Sequence, residues 1–122
     1  MFNEKFHEVI AHEGVVSIVT NGEDGAHVSN TWNSYLVLEG DRILIPAAGM
    51  RKTQANIEHN SQVKLTLGTK EVMGYRHMGT GFLIEGTARF LTDGPSYSLM
   101  KDKFPFLSRV LIVEPASVKQ TL

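Results

Sequence analysis

The chain contains no cysteine. Disulfides, thiol nucleophiles and thiolate metal sites are therefore excluded. No apolar run reaches the roughly 18 residues that a membrane-spanning helix needs. The opening Met1-Phe2-Asn3-Glu4-Lys5 lacks the basic region and apolar centre of a signal peptide. Neither sign of charge dominates, with 12 Lys and Arg against 13 Asp and Glu. The basic residues are scattered and form no nucleic-acid footprint. There is no internal repeat and no low-complexity segment. These absences predict a soluble, cytoplasmic protein whose partners are neither nucleic acid nor membrane.

What is present reads as globular. Apolar residues make up 42% of the 122 positions, which suits one domain spanning residues 1–122 with a real core. Phe2, Phe6, Val9 and Ile10 recur at helical spacing, so residues 2–12 read as a short amphipathic helix ended near Gly14. His7-Glu8 and His12 almost spell HExxH, but Ala11 holds the second histidine's place. The two rings point to different faces, and no metal site is expected.

Val15–Thr20 is a β-branched run, and Asn21-Gly22-Glu23-Asp24-Gly25 turns it into a return strand over 26–30. Leu36–Leu38 and Arg42–Pro46 flank a turn at Glu39-Gly40-Asp41. A helix is predicted from Arg51 to His59, and Val63–Leu67 alternates as a strand with one wet face. Residues 68–80, with Gly68, Gly74 and Gly79, read as a loop or as the end of a longer hairpin. Gly81–Leu91 is the longest strand candidate, and its Gly86 suggests a bulge or a bend. Pro95–Lys103 reads as a helix, and Phe106–Glu114 as the last strand, ended by Pro115. Turn-linked strands with three short helices predict a mainly β fold: a barrel of about six antiparallel strands with Greek-key connections.

The stretch from Ile43 to Thr53 joins a strand, a small-residue segment (Ala47-Ala48-Gly49) and a helix start. Small residues allow backbone N–H groups to approach an anion, and the first helical turn leaves its own amides without partners. Lys52 adds a charge and Thr53 a hydroxyl. The GK[ST] ending of a Walker loop is absent. The residues alone allow either an ordinary strand-to-helix turn or a phosphate site. Trp32 and Tyr35, within Asn30-Thr31-Trp32-Asn33-Ser34-Tyr35, read alone as barrel aromatics with hydrogen-bonded polar ends.

Taken together, Asn30–Tyr35, Gly49-Met50-Arg51-Lys52-Thr53-Gln54-Ala55-Asn56, Gly79-Thr80-Gly81-Phe82-Leu83-Ile84 and the closing Gln120-Thr121-Leu122 carry a resemblance. They resemble the pyridoxamine-phosphate-oxidase-like flavin split barrels, and among them the small FMN-binding proteins of sulfate-reducing bacteria. The resemblance runs over nearly the whole chain in order. It implies a split barrel, a homodimer, and one non-covalent FMN per subunit near the dimer interface. It places Ala48, Gly49, Met50, Lys52 and Thr53 at the phosphate, and Asn30, Thr31, Trp32 and Tyr35 beside the isoalloxazine. Gly79, Thr80 and Gly81 would form a backbone-lined wall. Phe106, where a close relative carries Trp, and Leu122 from the partner subunit would complete the pocket.

No catalytic acid–base or nucleophile set is expected from the scattered titratable residues. The flavin carries the redox chemistry, and the chain positions it. If no cation faces the ring, its potential should be low; Glu13, placed near the ring, would push the same way. The function so implied is a low-potential electron carrier serving a redox partner protein. The alternative is a small-substrate flavin oxidoreductase of the flavin reductase or pyridoxamine-phosphate-oxidase type, which needs an open cavity against the flavin with residues of the 69–80 loop aimed into it.

Overall fold

The computed structural model describes residues 1–122. Helix α1 (Glu4–Ile10) begins at Asn3, whose side chain accepts the Phe6 amide at 2.9 Å, and it buries Phe6 and Val9. Strands β1 (Val15–Gly22) and β2 (Gly25–Trp32) form a hairpin. A 3-10 turn (Asn33–Tyr35) leads into β3 (Val37–Glu39) and β4 (Arg42–Ala47). Then follow α2 (Arg51–His59), β5 (Gln62–Met73), β6 (Met78–Leu91), α3 (Pro95–Lys103) and β7 (Arg109–Gln120).

The strands make one antiparallel sheet in the order β2-β1-β5-β6-β7-β4-β3. The predicted count of six strands is corrected to seven, and no hydrogen bonds close the sheet. β2 and β3 are both edges. The main core joins Ile18, Ile43, Ile45, Leu65, Ile84, Leu111 and Val113 to Phe6 of α1 and Ile57 of α2. Leu44, Val110 and Ile112 point the other way and pack with Met100 and Leu107 under α3. β4 and the first half of β7, Val110–Val113, are thus covered on both faces. That is why their sequences are unbroken apolar runs while β5 alternates.

Three element boundaries differ from the sequence expectation. Residues 68–80 are mostly strand: β5 and β6 continue to a tight tip at Gly74–His77. The glycines there allow close backbone approach and do not break the strands. A Cβ on Gly68 would lie 2.8 Å from the Thr80 carbonyl, and one on Gly81 2.4 Å from that of Leu67. β4 passes through Pro46, which lies beyond the end of β3 and needs no ladder donor on that side. β7 starts at Arg109, later than predicted, and runs past Pro115 to Gln120. A register shift pairs Glu85 with Ser117 and Gly86 with Pro115, leaving Ala116 as the extra residue, and is the bulge that Gly86 marks. No helix is long and apolar enough to cross a membrane.

Candidate functional site: an amide-lined cradle between β4 and α2

β4 ends at Ala47, and α2 begins only after Met50 takes φ 61°, ψ 34°. A left-handed methionine costs roughly 1–2 kcal/mol. Such strain, held by surrounding structure, often marks a functional site. Met50 also packs against the main core, which holds it there. The turn into a left-handed residue makes successive N–H groups converge, the geometry of an anion-binding nest. The amides of Ala48, Gly49 and Met50 donate to nothing within the chain, and the first turn of α2 adds its own orphan donors. Ala48 and Gly49 are exposed, so an anion can reach them.

The side chains around this loop come from three elements. Thr53 is fully buried, and its Oγ1 lies 2.8 Å from Ser29 Oγ on β2. Lys52 Nζ lies 3.2 Å from Asp24 Oδ1 in the β1–β2 turn. That hydrogen bond and the ammonium charge hold the Asp24 carboxyl below its ordinary range. On the far side, Ser108 and Arg109 reach the loop carbonyls. Ser108 N–H donates to Ala47 O at 2.9 Å, and Arg109 Nη2 donates to Gly49 O.

An aromatic group lies just before Ser108, the residue whose amide donates to Ala47 O. Phe106 packs on Tyr35 with centroids 5.6 Å apart, and Phe104 on Tyr35 at 5.3 Å. Phe106 remains 52% exposed and Trp32 45%. The Tyr35 turn is fixed from the link between α1 and β1: Glu13 accepts Ser34 Oγ at 2.7 Å and Ser34 N–H at 3.1 Å. Asn33, buried, donates to His12 O at 2.9 Å and Gly68 O at 3.1 Å. Strand alternation sends Ser29 and Thr31 inward and Asn30 and Trp32 outward. Thr31 is buried, and Asn30 Oδ1 accepts Ser17 Oγ at 3.1 Å.

The remaining predicted residues lie elsewhere in the chain. Gly81 is separated from Trp32 by β1 and β5. Thr80 is buried, and its Oγ1 accepts Gln120 Nε2 at 3.1 Å. Gly79 and Leu122 line a cavity of about 440 Å³ with Tyr75, Arg76, His77 and Met78. One chain therefore brings together Ala48, Gly49, Met50, Lys52 and Thr53, with Tyr35 and Phe106 alongside. Trp32 and Asn30 face outward on the neighbouring edge strand. Gly79, Thr80, Gly81 and Leu122 form a separate group. Sequence reading missed Ser29, Asp24, Ser108 and Arg109. Ser29 alone left a signal, being two positions before the recognised Thr31.

Between the end of β4 and the first turn of α2 the chain offers unpartnered backbone amides at an exposed loop, followed by the ammonium of Lys52 and the buried hydroxyl of Thr53. That donor set suits a phosphate monoester, whose oxygens accept and cannot donate when ionised. Fold and cradle thus define an antiparallel β protein with a strand–loop–helix anion seat beside half-exposed aromatic rings. The chain belongs to the pyridoxamine 5'-phosphate oxidase family, whose model matches residues 2–121. It is 49% identical over 118 residues to a protein from Nitratidesulfovibrio vulgaris (strain Miyazaki F) named "FMN-binding protein", covering 96% of each. Among solved structures it is similar to HupZ of Group A Streptococcus, with TM-score 0.81 and 16% identity, covering 98% of this chain and 94% of that one. General Stress Protein 26 of Bacillus anthracis gives TM-score 0.72 and 22% identity over 96% of this chain and 91% of that one. At these identities the two structures show the fold alone.

Proposed function

We propose that the chain holds one non-covalent FMN per subunit of a homodimer, in a split-barrel fold, and serves as a low-potential electron carrier. The observation that carries this reading is the strained cradle at Ala48–Thr53, with its free amides, set beside the aromatic group of Tyr35 and Phe106. The relative of equal length named for FMN supports it. When bound, the flavin supplies the electron transfer; the chain's residues seat and orient it. Lys52, the Thr53 hydroxyl and the amides of Ala48, Gly49 and Met50 take the phosphate. Asn30 and Thr31 lie on an edge strand, whose outer backbone groups are free to meet the polar edge of the ring. Trp32, Tyr35 and Phe106 cover its apolar surface.

Each charge-assisted contact contributes about 1.5–3 kcal/mol. Several together support a Kd of about 1 μM or tighter. The cations at the cradle, Lys52 and Arg109, are engaged by Asp24 and by loop carbonyls. Arg109 lies over the Phe90 ring, and neither cation forms a cation–π contact with Tyr35 or Trp32. Extra negative charge on a reduced ring would go unstabilised there, so the midpoint potential is expected at or below that of free FMN. The exposure of Trp32 and Phe106 supports a shallow seat from which electrons reach a partner protein.

The test is a visible spectrum of protein purified without added cofactor, followed by titration with FMN. A yellow preparation, or colour gained on titration, is expected; protein that stays colourless in excess FMN overturns the reading. Anaerobic mixing with NAD(P)H then separates carrier from enzyme. Slow reduction is expected of a carrier, whereas rapid bleaching assigns the small-substrate oxidoreductase, with the cavity at Tyr75–Gly79 as its substrate wall.

A further inference from the structure

We propose that Arg109, at the start of β7, is the positioning residue of the cradle: it sets which way the loop amides point without touching the anion. The inference rests on the phosphate reading above. In a trans peptide the carbonyl of one residue and the N–H of the next point in opposite directions, and every peptide of this chain is trans. Three successive loop carbonyls are held toward β7. Ala47 O accepts Ser108 N–H at 2.9 Å and Ser108 Oγ at 3.4 Å. Ala48 O lies 3.4 Å from Ser108 Oγ and 3.5 Å from Arg109 Nη1. Gly49 O accepts Arg109 Nη2. The amides of Ala48, Gly49 and Met50 are therefore turned away from β7, and these are the amides that have no partner.

The guanidinium is itself fixed. Its Nη1 donates to Ser108 Oγ at 2.7 Å, and its plane carbon lies 5.4 Å from the centre of the Phe90 ring. It pairs with no carboxylate; the four ion pairs of the chain involve other residues. Its Nε is buried without a partner. An arginine kept with an orphaned Nε and no counter-charge is explained by what its terminal nitrogens hold. Two rigid donors on one planar group can grip two carbonyls one residue apart; a lysine cannot.

The test titrates wild type, R109M and R109K with FMN and, in parallel, with riboflavin, which has the ring but no phosphate. Wild type is expected to prefer FMN. R109M should weaken FMN about tenfold or more while riboflavin changes by less than about twofold, and unfolding of the ligand-free variant reports its stability. R109K, which keeps the charge but not the fork, should remain several-fold weaker for FMN. An unchanged FMN-to-riboflavin ratio in R109M overturns the proposal, as does equal weakening of both ligands, which marks a general structural role. Full rescue by R109K also overturns it, since charge alone would then suffice. A wild type that does not prefer FMN over riboflavin sinks the phosphate reading itself, an outcome distinct from the others.

Discussion

Glu13 shows how one side chain outside the cradle can hold the turn that carries Tyr35. Its carboxylate accepts two hydrogen bonds from Ser34, at the head of the 3-10 turn that carries Tyr35. The Ser34 hydroxyl and then its amide hold the Glu13 carboxyl below the ordinary value. A carboxyl lowered in the folded state stabilises the protein above its unfolded pKa, about 4.3. That stabilisation is lost as pH falls through the folded value. E13Q is therefore expected to melt lower than wild type at neutral pH, by less than about 4 °C because solvent screens the site. The difference should close in acid. Thermal unfolding of both proteins at neutral pH and at about pH 3 checks this; a gap that widens in acid contradicts the sign. Sequence made Lys52 and Thr53 legible, because they follow a small-residue run at a helix start. Arg109 was not legible, because its partners Ala48 and Gly49 lie 61 and 60 residues away and no periodicity links a side chain to a distant carbonyl.

Elements behave by the same logic. Gly86 was readable as a bulge or bend because a glycine inside a long strand often marks one. The structure supplies the reason. A Cβ there would sit 2.2 Å from Glu114 O and 2.8 Å from Pro115 Cα, both backbone atoms that cannot swing aside. G86A is thus expected to cost about 1–3 kcal/mol, read as a lowered urea midpoint at unchanged slope. G25A differs in kind: nothing lies within 4 Å of its added Cβ, and only the φ of 104° resists it. If G86A unfolds like wild type, the register shift at Glu85–Gly86 is not what fixes β6 on β7. The segment 68–80 was half legible. Three glycines in a row of weak alternation looked like loop, yet each of Gly68 and Gly81 is a place where one strand presses on its neighbour. Pro46 and Pro115 misled for a related reason. Each sits where the ladder does not require its missing donor, at the end of β3 or at a bulge, and strand ends are not visible in a linear sequence.

At the scale of the whole molecule, one chain cannot gather all the residues proposed for the flavin. Trp32 pairs with Val15 on one edge, and Gly68 with Gly81 two strands further on. Three strand spacings of about 4.8 Å put Gly81 about 14 Å from Trp32 along the sheet. Two groups among the exposed apolar side chains follow this separation. Val15, Val28 and Trp32 stand on the β1–β2 hairpin, and Met73, Tyr75, Met78 and Leu122 at the tip of the β5–β6 hairpin. An isologous two-fold contact would satisfy both sets at once, each tip closing on the other copy's edge strand. Sedimentation is then expected to give twice the chain's 13.5 kDa. L122D places a charge in that contact and should shift the protein toward monomer. Because Leu122 would meet the ring and not the phosphate, L122D should weaken FMN and riboflavin alike, the opposite pattern to R109M. A 13.5 kDa particle that binds FMN as tightly as any larger form would remove the second copy from the site. The cradle would then have to hold the flavin with Tyr35, Phe106 and the β2 edge alone.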